Sequence, residues 1–283
     1  MGIINIVMFS FSRGTPLCLV QGGKSDGKIL SIASDDNCCI NHTMKCSNKK
    51  QCCINCSVLD DKSGDIPRKE ISISDDGIMV PILNMDSRTV EYICGPSGCG
   101  KSTMAGKMIK VFHKLNPDKP IIVFSRTLFK DDPALKDIPM IQVDLDQLKD
   151  FSLDITKDIP MGTMVLFDDT NTIQDSSVQK IVNSIMEDIM EVGRKLKLYI
   201  IVTSHLIIPN SKKLARTVLN ECQYLTVFPK SGNAQQIQYA LKTYFGFGKK
   251  DCKKIMESKS RWVRISKCYP QYIMSDRVCY IKE

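Results

Sequence analysis

The sequence predicts a three-layer α/β fold with a mostly parallel sheet, and two stretches of the chain carry this prediction. The first is a β-branched and aromatic strand at Thr89–Cys94, which runs into a glycine-rich loop and then a helix. The second is an apolar strand at Met164–Phe167, which ends in two aspartates. Between and after them, apolar strands alternate with amphipathic helices. This alternation is typical of a parallel sheet that helices cover on both faces.

The loop after the first strand matches the pattern G-x-x-x-x-G-K-S of phosphate-binding loops. Its glycines allow the backbone to curl so that successive N–H groups face phosphate oxygens. A helix over Met104–Leu115 then begins at the phosphates, with its positive end toward them. The loop residues are Gly95, Pro96, Ser97, Gly98, Cys99, Gly100, Lys101, Ser102 and Thr103.

This loop predicts binding of a nucleoside triphosphate, with ATP and Mg²⁺ as the expected cofactors. Lys101 is expected to reach the β- and γ-phosphates, and the Ser102 hydroxyl is expected to ligate Mg²⁺. The alternative is a chance glycine-rich turn before a helix. The complete match between a predicted strand and a predicted helix disfavours that alternative.

The second stretch predicts a Walker B strand, because four apolar residues run directly into Asp168 and Asp169. A parallel strand delivers such acids at its carboxyl end, beside the phosphate-binding loop. Asp168 is expected to bind Mg²⁺, mostly through water, and Asp169 to orient and activate the attacking water. The alternative, a strand ending in a polar turn, is less favoured because a phosphate-binding loop precedes it.

Apolar periodicity places the remaining elements. A strand is expected at Leu198–Thr203. One of the two polar residues that follow it, Ser204 or His205, is a candidate sensor of the γ-phosphate. Further strands are expected at Ile3–Phe11, Ile78–Leu83, Ile121–Ser125, Met140–Leu145, Tyr224–Pro229, Arg261–Ile265, Tyr272–Met274 and Val278–Ile281. Helices are expected at Val178–Met190, Leu214–Cys222, Asn233–Phe245 and Lys249–Glu257.

Composition sets outer limits on the function. The chain has 283 residues and a formal net charge of +8, which permits a nucleic-acid partner without requiring one. No apolar run reaches the roughly 20 residues of a membrane span. The apolar stretch Ile3–Phe11 lacks a basic region before it and a clear cleavage site. A first buried strand is therefore expected there rather than a signal peptide, and the expected location is cytoplasmic.

Residues 1–70 are predicted to be a small cysteine-rich segment and linker, ahead of an ATPase domain at 71–283. Within the segment, two residues separate Cys39 from His42, and two residues separate Cys53 from Cys56. Each spacing lets two ligands face one tetrahedral ion, which predicts a zinc knuckle. The alternative is a leader with reduced thiols, because the doubled cysteines blur the register and no complete finger pattern is present. The stretch Ser57–Gly77 is polar and is predicted to be a linker.

The chain from about residue 242 onward is a basic extension of the domain. Lys and Arg exceed Asp and Glu there, and they are interleaved with Tyr, Phe and Trp. Basic side chains mixed with aromatic rings suit a nucleic-acid surface. A solvated basic face over a small aromatic core explains the same pattern equally well.

Together, these motifs resemble the FtsK–HerA group of ATPases, and most closely the DNA-packaging ATPases of poxviruses and other large double-stranded DNA viruses. The resemblance spans about 89–230. It is carried by the phosphate-binding loop, Phe-Ser-Arg at 124–126, Leu-Phe-Asp-Asp at 166–169, and Gly193-Arg194. Like these RecA-like ATPases, the chain has an additional strand, Ile121–Ser125, between its two motifs and an acid directly after Asp168.

The resemblance implies a homo-oligomeric ring that threads double-stranded DNA and takes an arginine finger from a neighbouring subunit. Arg194 is the first candidate for that finger and Arg216 the second. A viral origin would imply location in the host cytoplasm, a viral factory or the virion. One departure from the family is Thr203-Ser204-His205, where the family often has Gln. The rival functions are a small-molecule or nucleotide kinase and a nucleotide-binding regulator that is not a motor.

Overall fold

The computed structural model describes residues 7–34, 69–73, 76–83, 87–129, 133–150, 153–208 and 212–282. The chain divides into two compact units. One contains Met1–Ile82 with Tyr272–Glu283, and the other contains Leu83–Gln271. The four predicted zinc ligands lie outside the described residues. The predicted boundary between 1–70 and 71–283 stays a prediction.

The first unit is built from antiparallel strands. Its four-stranded sheet has the order β1-β3-β2-β5, with β1 at Val7–Ser10, β2 at Thr15–Gln21, β3 at Ile29–Ser34 and β5 at Ile78–Pro81. The strand predicted at Ile78–Leu83 corresponds to β5, which lies at an edge of this sheet, as is usual for a strand that contains a proline such as Pro81. The hairpin of β2 and β3 was not predicted.

The same unit contains three further strands: β4 at Glu70–Ser72, β13 at Tyr272–Met274 and β14 at Val278–Ile281. The strand β14 pairs antiparallel with both β13 and β4. The prediction of a linker over Ser57–Gly77 is therefore wrong at Glu70–Ser72. That segment is too short and too polar to show an apolar strand pattern, and its pairing partner lies about two hundred residues later in the chain.

The second unit alternates strands and helices. Its strands are β6 at Thr89–Cys94, β7 at Ile121–Ser125, β8 at Ile141–Gln142, β9 at Met164–Asp168, β10 at Tyr199–Ser204, β11 at Tyr224–Val227 and β12 at Val263–Ser266. Its helices are α1 at Lys101–Leu115, α2 at Ile155–Asp158, α3 at Ser176–Val192, α4 at Lys212–Glu221, α5 at Ala234–Phe245 and α6 at Lys249–Met256. In the described part of the chain, no helix is both long and apolar enough to cross a membrane.

The strands of this unit lie in the order β12-β11-β6-β10-β9-β7-β8. The pairs from β11 to β8 are parallel, whereas β12 is antiparallel to β11. In the sheet, β10 lies between β6 and β9. The strand β7 comes between β6 and β9 along the sequence, but in the sheet it lies on the far side of β9. The prediction of a mostly parallel sheet with an added strand is confirmed. The carboxyl ends of β6 and β10 are level, because Ser204 is in register with Cys94.

Helices cover both faces of this sheet. On one face, α1 packs with alternate strand residues such as Ile93, Leu166 and Ile201 in a single apolar cluster. The intervening residues Phe167 and Val202 point to the opposite face and are also buried. A parallel strand that is buried on both faces is apolar at nearly every position, which explains the continuous apolar runs in the sequence.

One ion pair is completely buried in this sheet. The Arg264 guanidinium on β12 donates through Nε to Glu91 Oε2 on β6 at 2.8 Å, and both side chains are 0% exposed. The Thr226 hydroxyl on β11 donates to Glu91 Oε1 at 2.6 Å. The guanidinium also lies over the Tyr224 ring, 3.6 Å from its centroid. Glu91 thus connects β6, which leads into the phosphate-binding loop, to Thr226 on the neighbouring strand β11 and to Arg264 on the next strand, β12.

Removing one member of this pair is expected to destabilise the protein strongly. Glu91→Leu or Arg264→Met leaves a buried charge without its counter-ion, which costs about 3–5 kcal/mol of unfolding free energy. The double variant replaces the pair with apolar groups and is expected to be more stable than the sum of the two single changes predicts. Chemical denaturation of the four proteins measures these terms. Single variants within about 1 kcal/mol of the wild type would contradict the prediction.

Candidate functional site

The predicted phosphate-binding loop connects β6 to α1 and has the tightly curled backbone that the glycines suggested. Gly98 and Gly100 have φ values of 73° and 111°, in the left-handed region that favours glycine. The Cys99 N–H donates to the Pro96 carbonyl at 3.3 Å, which closes the turn. Gly95 has no room for a side chain, because a Cβ there would lie 2.8 Å from the Cys99 sulfur and 2.9 Å from Phe228.

The Cys99 thiol itself is directed into the protein. It belongs to the apolar cluster beneath α1 and is 4% exposed. Burial raises the pKa of this thiol above its ordinary value, and the nearby Lys101 charge lowers it by less. Cys99 is therefore a packing residue of the loop, whose thiol stays protonated near neutral pH.

The Lys101 ammonium is nearly buried and lies among three acceptors. It is 3.4 Å from the Pro96 carbonyl, 3.2 Å from His205 Nδ1 and 3.6 Å from Asp169 Oδ2. The side chain is 5% exposed. The structure therefore brings together the lysine of the loop, the second acid after β9 and the histidine after β10, as expected for neighbouring carboxyl ends of one parallel sheet.

Asp168 ends β9 and is held by two hydroxyl groups. Thr203 Oγ1 donates to Asp168 Oδ1 at 2.8 Å, and Ser125 Oγ donates to Asp168 Oδ2 at 3.4 Å. Ser102 and Asp168 line the same cavity of about 250 Å³. A hydroxyl and a carboxylate are hard oxygen ligands, and Mg²⁺ commonly uses one or two of these together with water and substrate phosphates. The two residues therefore fit the predicted ion.

Asp169 adopts a backbone conformation that is unusual for an aspartate. Its φ is 44°, in the left-handed region, and its N–H donates to Thr203 Oγ1 at 2.9 Å. Oδ2 lies 3.2 Å from His205 Nε2. Oδ1 is buried and has no hydrogen-bond partner in the described part of the chain. A strained residue with a free acceptor oxygen is typical of a functional position, since the strain must be compensated elsewhere.

Of the two candidate phosphate sensors at the carboxyl end of β10, Ser204 and His205, only His205 contacts this cluster. The Ser204 hydroxyl accepts the Leu206 N–H at 3.1 Å and stabilises the turn. His205 is 33% exposed and lies between Lys101 and Asp169. Sequence reasoning missed Ser125 and Thr203 as supports of Asp168. Each is a hydroxyl residue at the end of an apolar strand, which was the available signal.

Arg194, the first candidate arginine finger, lies away from the cluster within its own chain. Arg194 is exposed in the turn between α3 and β10, where the Gly162 N–H donates to the Leu196 carbonyl at 2.8 Å. That turn is at the amino end of β10, whose six residues correspond to about 20 Å of extended chain. The cluster is at the carboxyl end. Arg216 is exposed on α4.

The predicted basic extension begins in α5 and α6. Both helices expose lysines to solvent: Lys242, Lys249, Lys250, Lys253 and Lys254. Tyr239 in α5 is 50% exposed. Whether this surface contacts nucleic acid stays a prediction, as does the zinc knuckle at Cys39, His42, Cys53 and Cys56.

Comparison of the fold with solved structures gives low overall similarity. The genome packaging NTPase B204 from Sulfolobus turreted icosahedral virus 2, in complex with ATP-gammaS, has a TM-score of 0.43 and 12% sequence identity, over 67% of this chain and 96% of that chain. The pCW3 conjugation coupling protein TcpA, with ATPgS, has a TM-score of 0.42 and 9% identity, over 93% of this chain and 76% of that chain. EssC (ATPases 2 and 3) from Geobacillus thermodenitrificans has a TM-score of 0.42 and 11% identity, over 72% of this chain and 41% of that chain.

Comparison of the sequence gives a much stronger match. No protein-family model matches the chain. The uncharacterized protein V3 of Sputnik virophage is 44% identical over 199 residues, which span 70% of this chain and 79% of V3. The chain therefore belongs to the same protein family as V3 of the Sputnik virophage.

Proposed function

We propose that this protein is an ATP-hydrolysing motor that translocates or packages viral double-stranded DNA. One observation carries the hydrolase part of the proposal. Lys101 of the glycine-rich loop, the Mg²⁺-compatible pair Ser102 and Asp168, and the partner-free oxygen of Asp169 meet at one edge of a parallel sheet. These are the three functions that phosphoryl transfer to water requires: phosphate binding, metal binding and a base.

The DNA-motor part rests on different support. The sequence resembles viral packaging ATPases at the loop, at 124–126, at 166–169 and at Gly193-Arg194. Membership of the V3 family supports a viral origin. The exposed lysines of α5 and α6 offer a surface of suitable charge. A homo-oligomeric ring, and location in a viral factory or virion, follow from the resemblance and belong to the proposal.

In the proposed reaction, the N–H groups of the loop and Lys101 hold the phosphates, and the Asp169 carboxylate accepts a proton from the attacking water. Thr203 keeps Asp168 and the Asp169 backbone in place together. Ser102 and Asp168 would hold Mg²⁺, which supplies charge neutralisation for the transferred phosphoryl group. His205 holds Oδ2 of Asp169. An arginine from a neighbouring subunit completes the site.

The test is the rate of ATP hydrolysis with and without double-stranded DNA, measured alongside particle mass. We expect hydrolysis that DNA stimulates, in an assembly of several subunits. Phosphoryl transfer to a nucleoside monophosphate in place of hydrolysis would identify a kinase. Nucleotide binding without hydrolysis, with or without DNA, would identify a regulator. Hydrolysis by a monomer that does not respond to DNA would overturn the motor.

Lys101→Ala is expected to abolish tight ATP binding, because it removes the charge that contacts the β- and γ-phosphates. Calorimetry with a non-hydrolysable ATP analogue and Mg²⁺ measures this directly. Lys107→Ala is the matched control, since Lys107 is an exposed lysine of the same helix. Unchanged affinity in Lys101→Ala would remove the phosphate-binding role of the loop.

A further inference from the structure

The outer side of the phosphate-binding loop is held by an arginine from a distant part of the chain. Arg261 Nε donates to the Cys99 carbonyl at 2.8 Å, and Arg261 Nη2 donates to the Gly98 carbonyl at 3.0 Å. The guanidinium also lies beside Gly100, where a Cβ would be 3.4 Å from Nε. Consecutive loop carbonyls are therefore bound by one planar side chain.

Each of these carbonyls fixes the direction of an amide. In a planar trans peptide the C=O and the following N–H point in opposite directions. The Gly98 carbonyl shares its peptide plane with the Cys99 N–H, and the Cys99 carbonyl shares its plane with the Gly100 N–H. When Arg261 holds the two carbonyls, it fixes the direction of both amides. The Cys99 N–H then donates to the Pro96 carbonyl at 3.3 Å and closes the turn, and the Gly100 N–H is directed away from Arg261, toward the side that binds phosphate in loops of this pattern.

The position of Arg261 is itself well determined. It lies in the turn between α6 and β12, where the buried Ser260 Oγ donates to the Trp262 carbonyl at 2.8 Å. Trp262 packs against the apolar cluster beneath α1. The Lys230 ammonium donates to the Lys259 carbonyl at 2.6 Å and fixes the other side of the turn. The guanidinium is thus presented to the loop by a supported segment.

We propose that Arg261 is a positioning residue for nucleotide binding: by holding the Gly98 and Cys99 carbonyls it fixes the turn at Cys99 and the direction of the Gly100 amide. The proposal rests on the proposed nucleotide-binding function. Arginine suits this role because its planar fork donates to two acceptors at once, whereas a lysine offers one point of charge. Arg261 contacts no reacting atom in this arrangement and acts only through the backbone of Gly98, Cys99 and Gly100.

The experiment compares Arg261→Met, Arg261→Lys and the control Lys259→Ala. The control removes one positive charge from the same turn, and Lys259 contacts Lys230 only through its backbone carbonyl. The dissociation constant for a non-hydrolysable ATP analogue with Mg²⁺ is measured by calorimetry, and kcat and KM are measured for ATP hydrolysis. Melting temperatures establish that each variant is folded.

We expect Arg261→Met to weaken analogue binding about tenfold or more, and to raise KM by a similar factor with little change in kcat. This split is expected because the loop contacts phosphate in both the ground state and the transition state. Arg261→Lys should recover part of the affinity, and Lys259→Ala should match the wild type. A purely structural role would instead lower the active fraction, and hence kcat, at constant KM.

Several results would overturn the proposal. The proposal is wrong if Arg261→Met folds and binds the analogue as tightly as the wild type. It is also wrong if Lys259→Ala loses as much affinity for the analogue as Arg261→Met, because that would indicate a general effect of charge. Should Arg261→Met not fold, Arg261→Lys with unchanged affinity and KM would overturn it as well. If the wild type itself binds no nucleotide, the proposed function fails first, and the role of Arg261 fails with it.

Discussion

Replacing Arg194 with alanine is expected to lower the rate of ATP hydrolysis by about 10³–10⁵-fold, the usual contribution of an arginine finger. Arg194 is exposed at the amino end of β10 and far from the cluster of its own chain. It can therefore reach a γ-phosphate only if that phosphate is bound by another subunit. A guanidinium there would offset the charge that spreads over the phosphoryl oxygens in the transition state.

A mixing experiment separates this role from a local one. Inactive Asp169→Asn subunits are combined with inactive Arg194→Ala subunits, so that some interfaces pair an intact Arg194 with an intact Asp169. Hydrolysis should then partly return. The control variant Lys195→Ala, which removes the adjacent exposed charge, should hydrolyse ATP without mixing. Mixed assemblies without recovery would count against a finger acting between subunits. An active Arg194→Ala would leave only a cation after the end of α3, worth well below about 2 kcal/mol of stability.

Asp169→Asn is expected to retain ATP binding and to slow hydrolysis by about 10²–10⁴-fold, the usual effect of losing a positioned base. The amide preserves the shape of the side chain, and its oxygen still accepts from His205, but it cannot take a proton from water. The change should therefore lower kcat without raising the dissociation constant. Single-turnover hydrolysis and analogue binding measure the two quantities separately.

The matched control for this variant is Asp188→Asn, which makes the same chemical change at an exposed position of α3. It should hydrolyse ATP at the wild-type rate. An unaltered turnover number in Asp169→Asn would assign the base to another group, and Asp168 would be the next residue to test. If Asp169→Asn loses ATP binding and keeps its turnover number, Asp169 acts mainly by positioning the Lys101 ammonium, which lies 3.6 Å from its Oδ2.

The sequence was most informative where the structure is local or completely buried. The loop at 95–103, the helix behind it and the strands β6, β7, β9 and β10 were predicted within a few residues, because strands buried on both faces give continuous apolar runs. The acids after β9 were predicted as well, because the carboxyl end of a parallel strand is where such groups collect.

Contacts between distant segments were not predictable from the same patterns. Arg261 lies far along the chain from the loop that it contacts, and nothing in the spacing of either segment indicates the pairing. The same holds for the buried pair Glu91 and Arg264, each of which interrupts an otherwise apolar strand. The hairpin of β2 and β3 was not predicted, although β2 contains a run of four apolar residues from Leu17 to Val20.

Trp262 gives this protein a natural optical reporter of its phosphate-binding loop. The chain has a single tryptophan, so its fluorescence needs no mutagenesis to assign. The indole packs against the cluster that contains Cys99 and Met104, and it directly follows Arg261. Indole emission responds to the polarity around the ring. Its wavelength and intensity should therefore change when nucleotide shifts the loop or when Arg261 is replaced, and stopped-flow mixing can follow that change in real time.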